Sequence, residues 1–173
     1  MIGGNDEMAT DINQLPERKD IPVEDTWRLE DIFATDQAWE EEFKNIQDSL
    51  PKGEQYRGKL GESADVLWDA LQFQDEITER LGRLYTYSHM RYDQDTGNTF
   101  YQGMDDRAKN LYSQASSIFS YIVPEILTIE EEKLNRFMDE KEELTLYRQV
   151  LKEINLQRPH VLSAEEEALL AQA

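Results

Sequence analysis

The segment SADVLWDALQFQDEITERLGRLYTYSHMRYDQD, residues 63–95, carries the strongest structural signal in the chain. Mostly apolar side chains recur along it at steps of three and four residues, at Leu67, Leu71, Gln74, Ile77, Leu81, Leu84, Tyr85, Ser88 and Tyr92. This spacing predicts one long amphipathic α-helix. Ser63 is a suitable N-cap because its side-chain oxygen can accept a hydrogen bond from a free N–H group of the first turn. At 1.5 Å per residue, the predicted helix is about 50 Å long.

A second long helical pattern starts after the turn Thr96-Gly97-Asn98. The same spacing continues there, at Phe100, Met104, Ala108, Leu111, Ala115, Ile118, Phe119 and Ile122. Pro124 is predicted to end this helix, because proline has no backbone N–H to donate. Two long amphipathic helices joined by a tight turn are expected to lie antiparallel, as a helical hairpin.

Shorter helical patterns flank the hairpin. Thr35 is predicted to cap a helix that ends at Pro51-Lys52-Gly53, with an apolar face made by Trp39, Phe43, Ile46 and Leu50. Two further helices are predicted to start at capping boxes, Thr128-Ile129-Glu130-Glu131 and Ser163-Ala164-Glu165-Glu166. Between them, one more helix is predicted from Leu144, Tyr147, Leu151 and Ile154. No strand-like alternation occurs, so the predicted fold is all-α: an antiparallel helical bundle built around a long hairpin and preceded by an extended N-terminal arm.

The chain is predicted to divide into a flexible lead-in (1–20), an extended docking arm (21–34) and a helical domain (35–173). Pro22 favours an extended backbone at the preceding residue. Four bulky apolar groups then follow within seven residues, at Trp27, Leu29, Ile32 and Phe33. An arm this short cannot bury them by itself. If they dock on polypeptide outside the chain, we expect the isolated chain to leave them unordered or to bury them between two copies.

Composition excludes several classes of function. The 173 residues include 37 Asp and Glu against 18 Lys and Arg, a net charge of −19. We therefore predict no nucleic-acid or membrane partner, because both bind through clustered basic residues. The absence of cysteine excludes disulfides, a thiol nucleophile and sulfur-ligated zinc. With no secretory signal and no apolar stretch of about 20 residues, we expect a cytoplasmic protein.

Arg80, Arg83, Tyr87 and Arg91 form a cationic and aromatic stripe, at steps of three, four and four residues. One interpretation makes the stripe a wall that contacts a peptide or a partner. The other makes it a network inside the bundle or on its solvated face, because a glutamate precedes both Arg80 and Arg83 by four residues, the favoured arrangement for ion pairs within a helix.

The two histidines, His89 and His160, are both interpreted as structural. His89 lies four residues before Asp93, so the two can hydrogen-bond on a helix. His160 follows Pro159 and is predicted to hold a turn between helices. A metal site would need further ligands that the sequence does not identify.

Several stretches, taken in order, carry a family resemblance: Pro16-Glu17-Arg18-Lys19-Asp20-Ile21-Pro22, Trp27-Arg28-Leu29-Glu30-Asp31-Ile32-Phe33, Leu84-Tyr85-Thr86-Tyr87-Ser88-His89-Met90, Asp95-Thr96-Gly97-Asn98, Val123-Pro124-Glu125-Ile126-Leu127 and His160-Val161-Leu162-Ser163-Ala164-Glu165-Glu166-Glu167. Together they resemble the N-terminal region of bacterial oligoendopeptidase F, among the thimet-type zinc oligopeptidases. The resemblance implies a longer parent enzyme, whose zinc-bound water hydrolyses short peptides and whose H-E-x-x-H motif supplies metal ligands and the general base. That motif does not occur in this sequence.

The resemblance therefore implies that residues 35–173 form a helical channel wall, separate from a C-terminal catalytic domain that is its partner. We expect zinc in the parent but none bound by this chain, and no activity of this chain alone. No catalytic or metal residue is assigned, and Arg80, Arg83, Tyr87 and Arg91 are the substrate-wall candidates. The alternative is a free-standing acidic α-helical module that binds another protein.

Overall fold

The computed structural model of the chain describes residues 20–158. Within this range the α-helices are Asp36–Ser49 (α1), Ala64–Gln94 (α2), Thr99–Phe119 (α3), Ile122–Thr128 (α4), Glu131–Glu140 (α5) and Arg148–Gln157 (α6). Short 3₁₀ helices cover Val23–Asp25, Leu29–Asp31, Leu50–Tyr56 and Glu142–Tyr147. Residues 20–158 contain no strand. The all-α prediction is confirmed.

Helices α2 and α3 form the predicted antiparallel hairpin. The side chain of Ser63 accepts a hydrogen bond from the Val66 N–H at the start of α2. Asn98 does the same at the start of α3, where its side chain accepts from the N–H groups of Phe100 and Tyr101. The predicted stripe of α2 is buried against α3 and its neighbours, chiefly through Leu67, Leu71, Ile77, Leu81, Leu84 and Ser88.

Helix α1 packs on the hairpin through a fully buried tryptophan. Thr35 caps α1, accepting a hydrogen bond from the Ala38 N–H at 3.1 Å. Trp39 stacks on Phe43 with ring centroids 5.3 Å apart. Its indole N–H donates to the backbone carbonyl of Leu84 at 2.9 Å. The predicted cap and apolar face of this helix are therefore confirmed.

Two predicted boundaries after the hairpin were wrong. Helix α3 ends at Phe119, and Pro124 lies in the first turn of α4, where a backbone N–H would have no partner within the helix. Thr128 is the last residue of α4, so it does not open a capping box. Its hydroxyl donates to the Glu125 carbonyl at 2.7 Å, and Glu130 is the residue before α5. The helix predicted around Leu144 to Ile154 is a 3₁₀ helix followed by α6, and the capping box at Ser163 lies outside the described residues.

Segment 21–34 lies against the bundle. Leu29 is buried, and Ile32 and Phe33 are partly buried against the core. The Phe33 ring meets the Tyr87 ring edge-on, with centroids 5.5 Å apart. Trp27, by contrast, is 79% exposed. Three of the four apolar arm residues thus pack on this same chain, and not on a second copy or on polypeptide outside it. The division of the chain into three segments stays a prediction.

Gly53 provides a test of this packing. It lies beneath α3, and a Cβ atom placed on it would be 2.9 Å from both Ile118 Cγ2 and Phe119 Cε1. We expect Gly53→Ala to lower the free energy of unfolding by about 1–3 kcal/mol, because the helix must shift to admit the methyl group. The measurement is urea denaturation followed by circular dichroism.

The matched control is Gly82→Ala, inside α2. A Cβ atom there has no neighbour within 4 Å. Alanine is the better helix former, so this variant should gain about 0.5–1 kcal/mol. Equal stability of the two variants would contradict the packing described here.

Candidate functional site

The four substrate-wall candidates lie along the side of α2 that faces α1 and segment 21–34. Arg80 makes a two-pronged ion pair with Glu42 of α1: its Nε is 2.6 Å from Oε1 and its Nη2 is 3.2 Å from Oε2. Its Nη1 is 3.2 Å from Glu76, the predicted pair within the helix. The hydrogen bond to Glu42 raises the pKa of Arg80 above its ordinary value. Arg80 therefore ties α2 to α1.

Arg83 contacts segment 21–34 and not the glutamate predicted for it. Its Nη2 donates to the backbone carbonyl of Ile32 at 3.2 Å. Its guanidinium carbon lies 5.7 Å from the centroid of the Phe33 ring, within cation–π range. The described ion pairs do not include one between Arg83 and Glu79. This side chain holds the end of segment 21–34 against α2.

Tyr87 and Arg91 complete the network. The fully buried Tyr87 donates its hydroxyl proton to Asp36 Oδ1 at 2.8 Å. Tyr101 of α3 donates to the other oxygen of Asp36 at 3.3 Å. Arg91 reaches Glu30 at 2.9 Å and lies 5.1 Å from the Tyr87 ring centroid. The first residue of α1 is thereby joined to both helices of the hairpin.

The four side chains of the stripe thus contact α1 and segment 21–34 of the same domain. Its open part is a groove of about 310 Å³, lined by Arg80, Arg83, Phe33, Glu41 and Glu42 among others. Arg83 is the exposed member of the stripe, whereas Tyr87 is buried. Contact between these side chains and a substrate stays a prediction.

A second cluster of polar groups joins α2 to α3 around His89. Its Nδ1 is 3.2 Å from Oδ1 of Asp105, a carboxylate that is only 2% exposed. Lys109 donates to the other oxygen of Asp105 at 2.6 Å. The expected contact with Asp93 is longer, at 3.6 Å. Asp105 was not predicted as a site residue from the sequence, although it lies next to the apolar stripe of α3 and four residues before a lysine.

This cluster does not fit a zinc site. It offers one imidazole, and both oxygens of Asp105 already have partners. A catalytic zinc takes three protein ligands that converge on one point. Across residues 20–158, no group of three or more histidine or acidic side chains could hold a metal ion. His160 lies outside that range.

Crossing a bilayer requires an α-helix that is both long and predominantly apolar. None between residues 20 and 158 has both the length and the apolar character that a span requires.

Comparison with known proteins gives a consistent result. Residues 125–173 match the family described as Oligopeptidase F. The chain is 60% identical over 161 residues to Oligopeptidase PepF of Bacillus subtilis, covering 93% of this chain and 24% of that protein. It is 33% identical to Group B oligopeptidase PepB of Streptococcus agalactiae, covering 90% of this chain and 26% of that protein. The chain therefore spans about a quarter of the length of these relatives.

Solved structures agree. The crystal structure of oligoendopeptidase-F from Enterococcus faecium matches 79% of this chain and 27% of its own, with a TM-score of 0.66 and 35% identity. A structure from Chlamydophila abortus matches 92% of this chain and 27% of its own, with a TM-score of 0.79. At 21% identity, that second likeness supports the fold alone.

Removing Arg91 should loosen segment 21–34. We expect Arg91→Ala to speed hydrogen exchange at the amides of residues 31–33 about two- to fivefold, because this partly exposed ion pair contributes roughly 0.5–1 kcal/mol. Arg107→Ala is the matched control, since Arg107 donates to Glu40 of α1 at 2.7 Å and not to this segment. Unchanged exchange in Arg91→Ala would show that Glu30 does not hold the segment.

Tyr87 predicts a pH dependence of stability. Burial raises the pKa of Tyr87 above its ordinary value of 10.0, and the hydrogen bond to Asp36 acts in the same direction. Below pH 10 the hydroxyl is neutral in both the folded and the unfolded chain, so its contribution is complete. Above about pH 10 the unfolded chain ionises first, so stability is lost as pH rises.

Tyr87→Phe should therefore cost about 1 kcal/mol at pH 7 and lose less stability than the wild type between pH 9 and pH 11. The measurement is the free energy of unfolding across that range. Tyr112→Phe, which changes an exposed tyrosine, serves as the control and should leave the free energy of unfolding at pH 7 unchanged. Parallel curves for Tyr87→Phe and the wild type would contradict the assignment.

Proposed function

Because the chain belongs to the oligoendopeptidase F family and corresponds to its N-terminal region, we propose that it forms a helical wall of the substrate channel in a zinc-dependent, cytoplasmic enzyme that hydrolyses short peptides. The observation that carries the proposal is the 60% identity to a named oligopeptidase over 161 residues. In the proposed enzyme the partners of this chain are short peptides and the catalytic region. Nucleic acid and membranes are not partners.

In this proposal, zinc and the catalytic base come from polypeptide outside the chain. The sequence has two histidines and no H-E-x-x-H motif. One of them, His89, is engaged by the buried Asp105. A zinc ion would polarise the peptide carbonyl and activate the attacking water, in a site built by other residues. The role left to this chain is to shape the path by which peptides reach that site.

The architecture suits such a role. Ion pairs and hydrogen bonds hold α1 and segment 21–34 on the hairpin. As a wall, this assembly would narrow the channel so that flexible peptides enter and folded proteins do not. If the stripe contributes to peptide binding, Arg83 is its best-placed member, because its guanidinium is exposed beside the groove at Phe33. A guanidinium there suits a peptide carboxylate.

The test compares this chain with the full-length parent, using internally quenched short peptides. We expect the parent to hydrolyse them, a chelator to abolish the activity and added zinc to restore it. The chain alone should show no hydrolysis, and calorimetric titration with zinc should show no tight one-to-one site. Hydrolysis by the chain alone that depends on zinc, or a submicromolar stoichiometric site, would overturn the division of labour.

A matched pair of histidine variants sharpens the metal assignment. In the parent, His89→Gln should leave zinc content and activity unchanged, because His89 bonds to Asp105 and not to a metal. Substitution of either histidine of the parent's H-E-x-x-H motif should remove both. Loss of zinc from His89→Gln would overturn the assignment.

A further inference from the structure

An uncharged groove runs along the hairpin, away from the α1 side. It has a volume of about 350 Å³, a floor of Leu81, Ala115 and Phe119, and a rim that includes Tyr112, Ser116 and Val123. No charged side chain lines it. The chain as a whole is 32% charged, with a net charge of −19.

The rim of this groove exposes apolar surface. Tyr112 is 45% exposed and Val123 is 41% exposed, while the floor is buried. Two of the hydroxyl groups that line it are already used within their own helices: Thr78 donates to the Gln74 carbonyl and Ser120 to the Ser117 carbonyl, each at 2.8 Å. A partner can therefore cover the groove without leaving these hydroxyls unpaired.

Resting on the proposed function, we propose that this groove is the docking surface for the rest of the parent polypeptide. The chain spans only 24–27% of the length of the proteins it matches, so most of such a protein lies outside it. The groove shares two features with an interface core, the absence of charged side chains and an exposed aromatic residue.

A second copy of the chain fits the groove less well. Each copy carries a net charge of −19, so two copies repel each other. A symmetric dimer would also need a self-complementary surface, whereas this one is concave. Another region of the same protein need not carry this negative charge, and its surface need not be self-complementary.

Cysteine footprinting tests the inference, because the chain has no cysteine of its own. Ser116→Cys places a thiol on the rim. Ser117→Cys makes the same change at an exposed neighbour that does not line the groove. Each variant is treated with a maleimide, both as this chain and within the full-length parent, and the labelled peptide is quantified by mass spectrometry.

We expect both thiols to react at similar rates in the isolated chain. In the parent, Ser116→Cys should react at least tenfold more slowly, whereas Ser117→Cys should be unchanged. Equal rates in the parent would overturn the inference, as would protection that arises only when a short peptide is added, which would make the groove a peptide site. Slow reaction of Ser116→Cys in the isolated chain would overturn it too. If that protection disappears on dilution, a second copy covers the groove; if it persists on dilution, a segment of this chain covers it.

Peptidase activity of the same preparations separates the two proposals. Activity without protection of Ser116→Cys means that the docking inference fails and the proposed function stands. Protection of Ser116→Cys in a parent without activity means that the docking inference stands and the proposed function fails.

Discussion

The long helix α2 depends on burying an apolar stripe along its whole length. A helix of 31 residues gains most of its stability from packing and not from its own hydrogen bonds. Helix α3 covers one side of the stripe, while α1 and segment 21–34 cover another. Trp39 connects α1 to α2 directly, because its indole N–H donates to the Leu84 carbonyl of α2. The other elements are arranged around this helix.

Ion pairs position the elements of this domain, whereas burial of apolar side chains stabilises them. The chain is strongly acidic, yet the arginines of α2 point towards carboxylates and carbonyls of neighbouring elements, as Arg80 does to Glu42 and Arg91 to Glu30. Such partly exposed ion pairs each contribute less than about 1 kcal/mol. These ion pairs act mainly by orientation, because each one fixes where α1 or segment 21–34 lies on the hairpin.

The two sides of the hairpin differ accordingly. One side is rich in paired charges and aromatic rings that hold the domain together. The other carries the uncharged groove around Tyr112, without paired charges of this kind. The groove has no charged lining residue, whereas the arginines of the stripe bond to other elements of the same domain. This contrast is the reason why the groove is the proposed docking surface and why Arg80, Arg83, Tyr87 and Arg91 are treated first as structural residues.

Local patterns were sufficient for the helical class, for the hairpin and for the caps at Thr35 and Ser63. Those features depend on residues three or four positions apart, which the sequence displays directly. The boundaries around Pro124 and Thr128 were missed because each residue suits more than one position in a helix end. The partner of Arg91 could be found only in the tertiary structure, because Glu30 is 61 residues away along the chain. The same holds for the pairing of His89 with Asp105 and for the charge-free groove, because long-range packing brings together side chains whose spacing in sequence has no period.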